Sequence, residues 1–362
     1  MLGNYGDEGK GLVTCALCHQ SFSNNEKVLN VLTNGGCQRG HTAYDQYGHR
    51  HVYSHLGSGY PYADLIFSKF YLVNPMVFCE ELYGYHSSSN RIFIDPECTL
   101  TTPWDMLVNR MLEDNRSKNR HGSCGYGIWE SIQRNQKFPL YWKDLYKPED
   151  ELLDIFRHLR DEYFTDRINE YGLTMDEDQK SIFYSDIMVH NYVNDLRLMQ
   201  QNVEEADIKD LIRDYDTVVF ENAQGLLLDM DVNKFGTPSK TGMAYITQIL
   251  PDEEITPYYV TRTYLTKHGN GDFPEECEKS EINSHMFDIT NHPNPYQGVL
   301  RYGKFTQQGI KDLITRIKTD AGPHQYKLVV THCNEYIEPE LIKYADYVSY
   351  DEFDIVDQQS VD

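Results

Sequence analysis

Short apolar runs alternate with longer amphipathic stretches along this chain, and that alternation predicts its secondary structure. Strands are expected at 27–34 (KVLNVLTN), 91–95 (RIFID), 216–223 (DTVVFENA), 256–264 and 326–333. Helical spacing of apolar positions predicts helices over 11–22, 102–116, 148–172, 179–200, 203–215 and 306–319. The stretch at 203–215 sets Val203, Ile208, Leu211 and Ile212 on one helical face and runs straight into the strand at 216–223. Strands alternating with helices predict an α/β fold with a large, mostly parallel central sheet flanked by helices. No internal repeat interrupts the pattern, and the acidic stretches MDEDQ (175–179) and LPDEE (250–254) read as surface turns, so residues 1–362 are expected to form a single domain.

Composition and charge narrow the partners. The 362 residues include 40% apolar and 13% aromatic side chains, ample for a core, with an unusually polar aromatic set of 28 Tyr against 15 Phe. Lys plus Arg number 33 against 56 Asp plus Glu, a net charge of −23, which disfavours a nucleic-acid polymer or an anionic membrane surface and still permits small anions in a local pocket. No run of 18 apolar residues and no basic-then-apolar leader pattern occurs, so the expected location is the cytoplasm. The eight cysteines lack the dense spacing of a disulfide scaffold and are expected to be reduced thiols. CALCH, at Cys15, Cys18 and His19, spells a haem-attachment sequence, but without a leader or a second metal-ligand pair it reads as core-facing thiols of the first helix.

The chemistry starts at the first residues, MLGNYGDEGKGLV. Gly3, Gly6, Gly9 and Gly11 free the backbone to turn N–H groups toward an anion, Lys10 adds a point charge, and a helix start follows. The Walker spelling is not met. A phosphate loop normally follows a buried strand, yet only Met1 and Leu2 precede Gly3, so either that strand is very short or the numbering starts late. Phosphate repels Asp7 and Glu8 unless an acid there holds Mg²⁺, accepts a proton or reads a base edge.

Five ordered blocks over residues 3–334 carry a family resemblance. They are GDEGKG (6–11), NGGCQRGHTAYD (34–45) with YSHLGSG (53–59), FENAQGLLLDMD (220–231), TRTYLTKHGNGDFPEE (261–276) and THCN (331–334). Together they resemble the adenylosuccinate synthetases, whose corresponding segments read G-D-E-G-K-G, G-G-x-N-A-G-H-T with H-L-x-P-S-G, F-E-G-A-Q-G-x-L-L-D-x-D, T-R-x-G-x-G-P-F-P-T-E and T-K-x-D. That resemblance implies a ligase that joins L-aspartate to C6 of a 6-oxopurine nucleotide after phosphorylating O6, with Mg²⁺ as cofactor. It makes Asp7 the base that takes the N1 proton and His41 the acid at the oxygen, with Gln224 holding the purine. Asp7 and the Gly40 carbonyl would ligate Mg²⁺, while Glu8, Gly9, Lys10, Gly11, Gly40, His41, Thr42, Thr331, His332 and Asn334 would surround the triphosphate. The purine monophosphate would meet Asp7, Gln38, Ser123, Arg134, Gln224, Thr237 and Arg262, with Arg134 lent across a homodimer interface. L-Aspartate would meet Gln297, Gly298, Val299 and Arg301. The histidines other than His41 and His332 are read as ordinary structural residues.

Three departures from the family pattern bear on the substrate. Asn334 replaces the Asp that accepts guanine's N1 and N2 hydrogens, which points to ATP rather than GTP as phosphoryl donor. Cys37-Gln38-Arg39 replaces x-Asn-Ala, and the arginine-rich aspartate loop keeps only Arg301. With a short chain, these resemble the viral branch, the 2-aminoadenylosuccinate synthetases, which use GMP or dGMP as acceptor; the alternative is IMP. Asp7 itself departs from that branch, where serine is typical, although a carboxylate can accept from N1–H and the 2-amino group together. A GTPase-type switch would need the Walker spelling, and a non-catalytic nucleotide-binding homologue would be expected to lose Asp7, Lys10 or His41.

Overall fold

The computed structural model describes residues 1, 3–84, 90–117, 120–229, 231–232, 239–286 and 298–360. At its centre is β1 (Val28–Leu32), buried along its whole length, as an apolar strand covered on both faces must be. It pairs in parallel with β4 (Asp64–Phe67) on one side and with Thr217–Glu221 on the other, with Leu32 opposite both Phe67 and Glu221. Ile92–Ile94 and Glu204–Glu205 extend this sheet to five parallel strands. A second sheet of four, Tyr258–Arg262, Lys327–Thr331, Tyr347–Val348 and Val356–Asp357, is parallel except for its last pair. The expected α/β architecture with mostly parallel strands and flanking helices is therefore the one the chain adopts.

The residues ahead of the glycine loop bond to both sheets' surroundings. The Val260 N–H donates to the Met1 carbonyl at 2.7 Å and the Gly3 N–H to the Val260 carbonyl at 2.9 Å, so this segment runs beside Tyr258–Arg262. On its other side the Asn4 carbonyl accepts from the Leu227 N–H at 3.0 Å, in the turn that leaves Thr217–Glu221. Helix α1 (Lys10–Ser23) then packs on the hairpin of β2 (His41–Tyr44) and β3 (Arg50–Tyr53), with Cys15 and Cys18 in the core as expected. All eight cysteines are unpaired thiols.

A helical layer covers the remaining apolar surface, centred on Trp104, Phe156, Phe164, Tyr192 and Leu196. The helix Pro103–Arg116 starts on a Thr102–Asp105 capping box with proline in its first turn, the strongest N-terminal signal in the chain. Among the described residues no helix is long and apolar enough to cross a membrane.

Three expected helices differ. The stretch 148–172 is helical from Glu149 to Glu170 but contains a π-helical turn at Leu159–Phe164, and 179–200 breaks at Tyr184–Ser185, where Asp186–Gln200 begins. The helix expected at 203–215 does not form. Glu204–Glu205 joins the sheet edge instead, held by a bidentate bond from Arg91 to Glu204, and Asp207 caps the single helical turn Ile208–Leu211. The apolar residues that suggested one amphipathic face serve two short elements packed against the sheet.

Gly225 marks the closest approach of this framework to the loop, since a Cβ there would lie 2.1 Å from the Asn4 carbonyl oxygen. Gly225→Ala is expected to destabilise the protein by about 1–3 kcal/mol through overpacking, read as a lower midpoint in urea unfolding; an unchanged midpoint would show that the loop yields freely.

Candidate active site

The glycine loop lies where both sheets end. Gly6 and Gly9 take φ of 115° and 89°, which side chains oppose, and Gly9 caps α1 with no side-chain hydrogen bond to the helix N-terminus. Thr331 and Thr261, from the ends of the second sheet's first two strands, hold the loop: Thr331 Oγ1 donates to the Glu8 carbonyl at 2.9 Å, and Asn4 Nδ2 donates to Thr261 Oγ1 at 3.0 Å. Glu8 turns inward, accepting from Asn4 N–H at 3.1 Å and Asn4 Nδ2 at 2.7 Å, and burial pushes its carboxyl up to about 7 against those donors. Its side chain thus braces the loop from inside.

Asp7 faces the other way. Its backbone is left-handed, with φ 54°, its carbonyl accepts from Arg262 Nε, and its Oδ2 lies 3.0 Å from His268 Nε2. Burial opposes ionisation, but the His268 hydrogen bond and charge, with Arg262 and Lys10, hold the carboxyl below its ordinary value. Lys10 is buried, which lowers its ammonium to about 8 although Glu221 and Asp7 both favour the charged form.

Glu221, at the end of its strand, gathers three of the sequence blocks. It meets His41 Nδ1 at 2.5 Å, accepts from Ser58 Oγ at 2.6 Å and Ser58 N–H at 3.0 Å, and lies 3.8 Å from Arg39 Nη1. Arg39 in turn donates to the carbonyls of Ser54, His55 and Leu56, fixing the turn that presents Ser58. Burial opposes its charge, but Arg39, His41 and Ser58 keep Glu221 well below the usual carboxylate range. Burial, aided by Lys10, pulls His41 far below its ordinary value against the opposing pull of Glu221. The ionised Glu221 can only accept, so Nδ1 of His41 carries a proton and the ring presents Nε2.

His41 Nε2, Gln224 Oε1 and both amide atoms of Gln38 are buried without a hydrogen-bond partner among the described residues. Gln224 Nε2 is held by Asp229 Oδ1 at 2.7 Å and the Ser239 carbonyl at 2.6 Å, so its oxygen is fixed in direction. Each such orphan costs about 1–3 kcal/mol unless a ligand or water satisfies it.

Other expected residues divide. Gly40 is exposed beside His41, and Thr42 flanks α1, where a Cβ on Gly11 would meet its carbonyl at 2.7 Å. His332 takes φ 61° next to Thr331, and Asn334 is exposed. Ser123 accepts from Asn109 Nδ2 at 3.0 Å in the loop that abuts Gly269. Gly298 and Val299 are exposed, while Thr237 and Gln297 lie outside the described residues.

Two arginines need correction. Arg134 is fully buried, donating to Asp105 at 3.2 Å, to the Phe138 carbonyl at 3.2 Å and to the Leu100 carbonyl, so its guanidinium is spent inside its own subunit and is not lent to a neighbour. Arg301 does form the expected bidentate carboxylate pair, but with Glu276, at 2.7 and 2.6 Å. Arg262 supports Asp7 and Tyr264 from below.

Glu221, Ser58, Arg39, Lys267 and His268 were not among the expected site residues. The first three stood inside the matched blocks, and an ungapped reading of T-K-H-G-N-G-D-F-P-E-E (266–276) against T-R-x-G-x-G-P-F-P-T-E puts Lys267, not Arg262, at the arginine position. Lys267 is buried, with Nζ donating to the Asn270 carbonyl, and burial lowers it to about 8. His268 falls on the position that pattern leaves open.

The sequence profile described as adenylosuccinate synthetase matches residues 2–294. The chain belongs to the adenylosuccinate synthetase family. The adenylosuccinate synthetase of Clostridium botulinum (strain Alaska E43 / Type E3) is 27% identical over 295 residues, covering 75% of this chain and 64% of that protein. That of Gloeobacter violaceus is 27% identical over 296 residues, covering 78% and 63%. The chain thus spans just under two thirds of the length of these curated relatives. Among solved structures, the fully ligated adenylosuccinate synthetase of Plasmodium falciparum superposes with a TM-score of 0.68 at 17% identity, over 92% of this chain and 76% of that one. Succinoaminodeoxyadenylate synthetase of cyanophage S-2L, bound to dGMP and dATP as an energy donor, gives 0.66 at 12% identity, over 99% and 93%. Both place the chain in the adenylosuccinate synthetase fold.

Glu221→Gln is expected to destabilise the protein by about 3–5 kcal/mol, because Arg39 then sits buried without its counter-charge. Chemical unfolding reads this directly, and a loss below about 1 kcal/mol would mean that water already screens the pair.

Proposed function

We propose that this chain is a carbon–nitrogen ligase that joins L-aspartate to C6 of a 6-oxopurine nucleoside monophosphate through a 6-phosphoryl intermediate. The favoured acceptor is GMP or dGMP and the donor ATP. The observation that carries the reading is the set of buried, unpartnered atoms, the fixed His41 Nε2 and Gln224 Oε1 with the Gln38 amide, together with the phosphate-type loop around Lys10.

In this reading the ionised, partly exposed carboxylate of Asp7 accepts the N1 proton, and Lys10 with the open end of α1 receives phosphate oxygens. His41 presents Nε2 toward O6. In the neutral ring that nitrogen is an acceptor, and an approaching anion draws the proton that turns it into a donor, with Glu221 balancing the charge. Gln224 fixes the purine edge.

Magnesium fits the donor set in one mode. Among the described residues no three His, Cys, Asp or Glu side chains gather into a cage, which agrees with a cation held by one carboxylate and a carbonyl together with substrate phosphates. Asp7 and Gly40 would hold it, and when bound it would neutralise phosphate charge. The homodimer expectation has lost the residue that carried it, Arg134.

The acceptor preference rests on the departures at Gln38 and in the aspartate loop, with the fold-level likeness to the dGMP-bound cyanophage protein in support. IMP is the second reading, favoured by the two curated relatives named above, both adenylosuccinate synthetases.

A phosphate-release assay with L-aspartate and Mg²⁺, crossing IMP, GMP and dGMP with ATP and GTP, decides between them. Turnover is expected with GMP or dGMP and ATP; turnover confined to IMP with GTP would reverse the substrate assignment. In the same assay His41→Asn is expected to slow turnover by about 10²–10⁴, and Asn334→Asp to shift the donor ratio toward GTP. A normal rate in the first, or an unmoved ratio in the second, would remove the role given to that residue. Because Lys10 loses its proton above about 8, ATP affinity is expected to weaken about tenfold from pH 7 to pH 9. Calorimetric titration at the two values measures it, and equal affinities would mean the ammonium is not the phosphate contact.

A further inference from the structure

We infer that His268 is a positioning residue for Asp7, a role that rests on Asp7 being the base. Asp7 belongs to no helix or strand, and its left-handed backbone leaves the direction of its carboxylate to whatever touches it. Its carbonyl is clamped by Arg262 Nε, and Oδ2 is held by His268 Nε2 at 3.0 Å. With Oδ2 engaged, Oδ1 is the oxygen left for the purine N1 proton. A neutral imidazole with its proton on Nε2 makes this bond as well as a charged one does.

The loop that carries the histidine is held from several sides. Arg301 Nη1 donates to the carbonyls of Gly269 at 3.2 Å and Gly271 at 3.0 Å while its other edge grips Glu276. Lys267 Nζ donates to the Asn270 carbonyl, and Asn270 Nδ2 donates to the Arg120 carbonyl. Gly269 presses on Gly122, where a Cβ would lie 2.8 Å from the Gly269 Cα. The loop therefore ties Asp7 to the segment bearing Ser123 and to the strand bearing Arg301. Arg301 acts here by aiming a base through His268, at a position the family pattern leaves variable.

A structural role and a positioning role differ in what they move. The side chains of His268 and Asp7 are 22% and 29% exposed, so water can replace part of their pairing and its loss costs modest stability, whereas a misdirected base costs rate. The test compares His268→Phe, which keeps a ring without the donor, with His268→Gln, whose amide nitrogen reaches the place of Nε2. Each is assayed with the acceptor the wild-type enzyme turns over. His268→Phe is expected to lower kcat about 10–100-fold, with the purine KM within about threefold and Tm within about 2 °C of wild type. His268→Gln is expected to recover most of that rate, and Asp7→Asn/His268→Phe to be no slower than Asp7→Asn alone. A wild-type kcat in His268→Phe, a defect confined to KM, or no recovery in His268→Gln would overturn the positioning role while Asp7→Asn still abolishes turnover. Normal turnover in Asp7→Asn would instead remove the base, and His268's task with it.

Discussion

One buried carboxylate organises this molecule's chemistry. Glu221 ends a strand in the middle of the fold, and the groups around it come from the glycine-rich turn at Arg39 and His41 and from the turn at Ser58. A charge so deeply enclosed is tolerated only when its surroundings compensate it, and here an imidazole, a hydroxyl and a backbone amide bond to it while a guanidinium stands 3.8 Å away. Those four contacts fix three distant stretches of chain against one another. The side chain of His41 can aim Nε2 at a ligand because Nδ1 has no freedom left.

The sheets explain why that carboxylate sits beside a phosphate-type loop. Parallel strands end on one side, and loops leaving their carboxyl ends form the crevice in which open α/β sheets bind ligands. β1 leads to the Arg39–His41 turn, Thr217–Glu221 leads to Gln224, and the strand ending at Thr331 holds the glycine loop through its hydroxyl. Glu8, the acid that looked least at home in such a loop, turns out to be its internal brace, bonded twice to Asn4. The acidic surface of the chain and the cationic interior of this crevice are compatible because Lys10, Arg39, Arg262 and Lys267 are all buried there.

Much of this was legible in the residues. β1 and its neighbour ending at Glu221 could be read from apolar runs flanked by polar turns, and Pro103–Arg116 from the helical spacing of its apolar positions. The short pieces around 204–214 could not, because a two-residue edge strand gains its stability from pairing with Ile94 and Phe93, which periodicity does not register. At the site, the glycine loop marked Asp7 and Lys10 as chemistry-bearing, and the resemblance to the family's motifs marked His41 and Gln224. It did not reveal which side chains spend their hydrogen bonds internally. Arg134 and Arg301 read as anion contacts because a guanidinium suits an anion anywhere. Only packing shows that Asp105 and Glu276 already occupy them. His268 was passed over for the opposite reason, since nothing in its neighbours along the chain announces a carboxylate some 260 positions away.

The bare start of α1 carries a thermodynamic consequence. With glycine at the cap, no side chain among the described residues folds back to accept from the first amide groups of that helix. A bound anion would accept from them, so the nucleotide would serve as the missing cap of a structural helix as well as the reactant. Occupancy and folding are then linked by mass action: the more ligand the solution holds, the larger the share of molecules whose first helix is fully bonded from its opening turn.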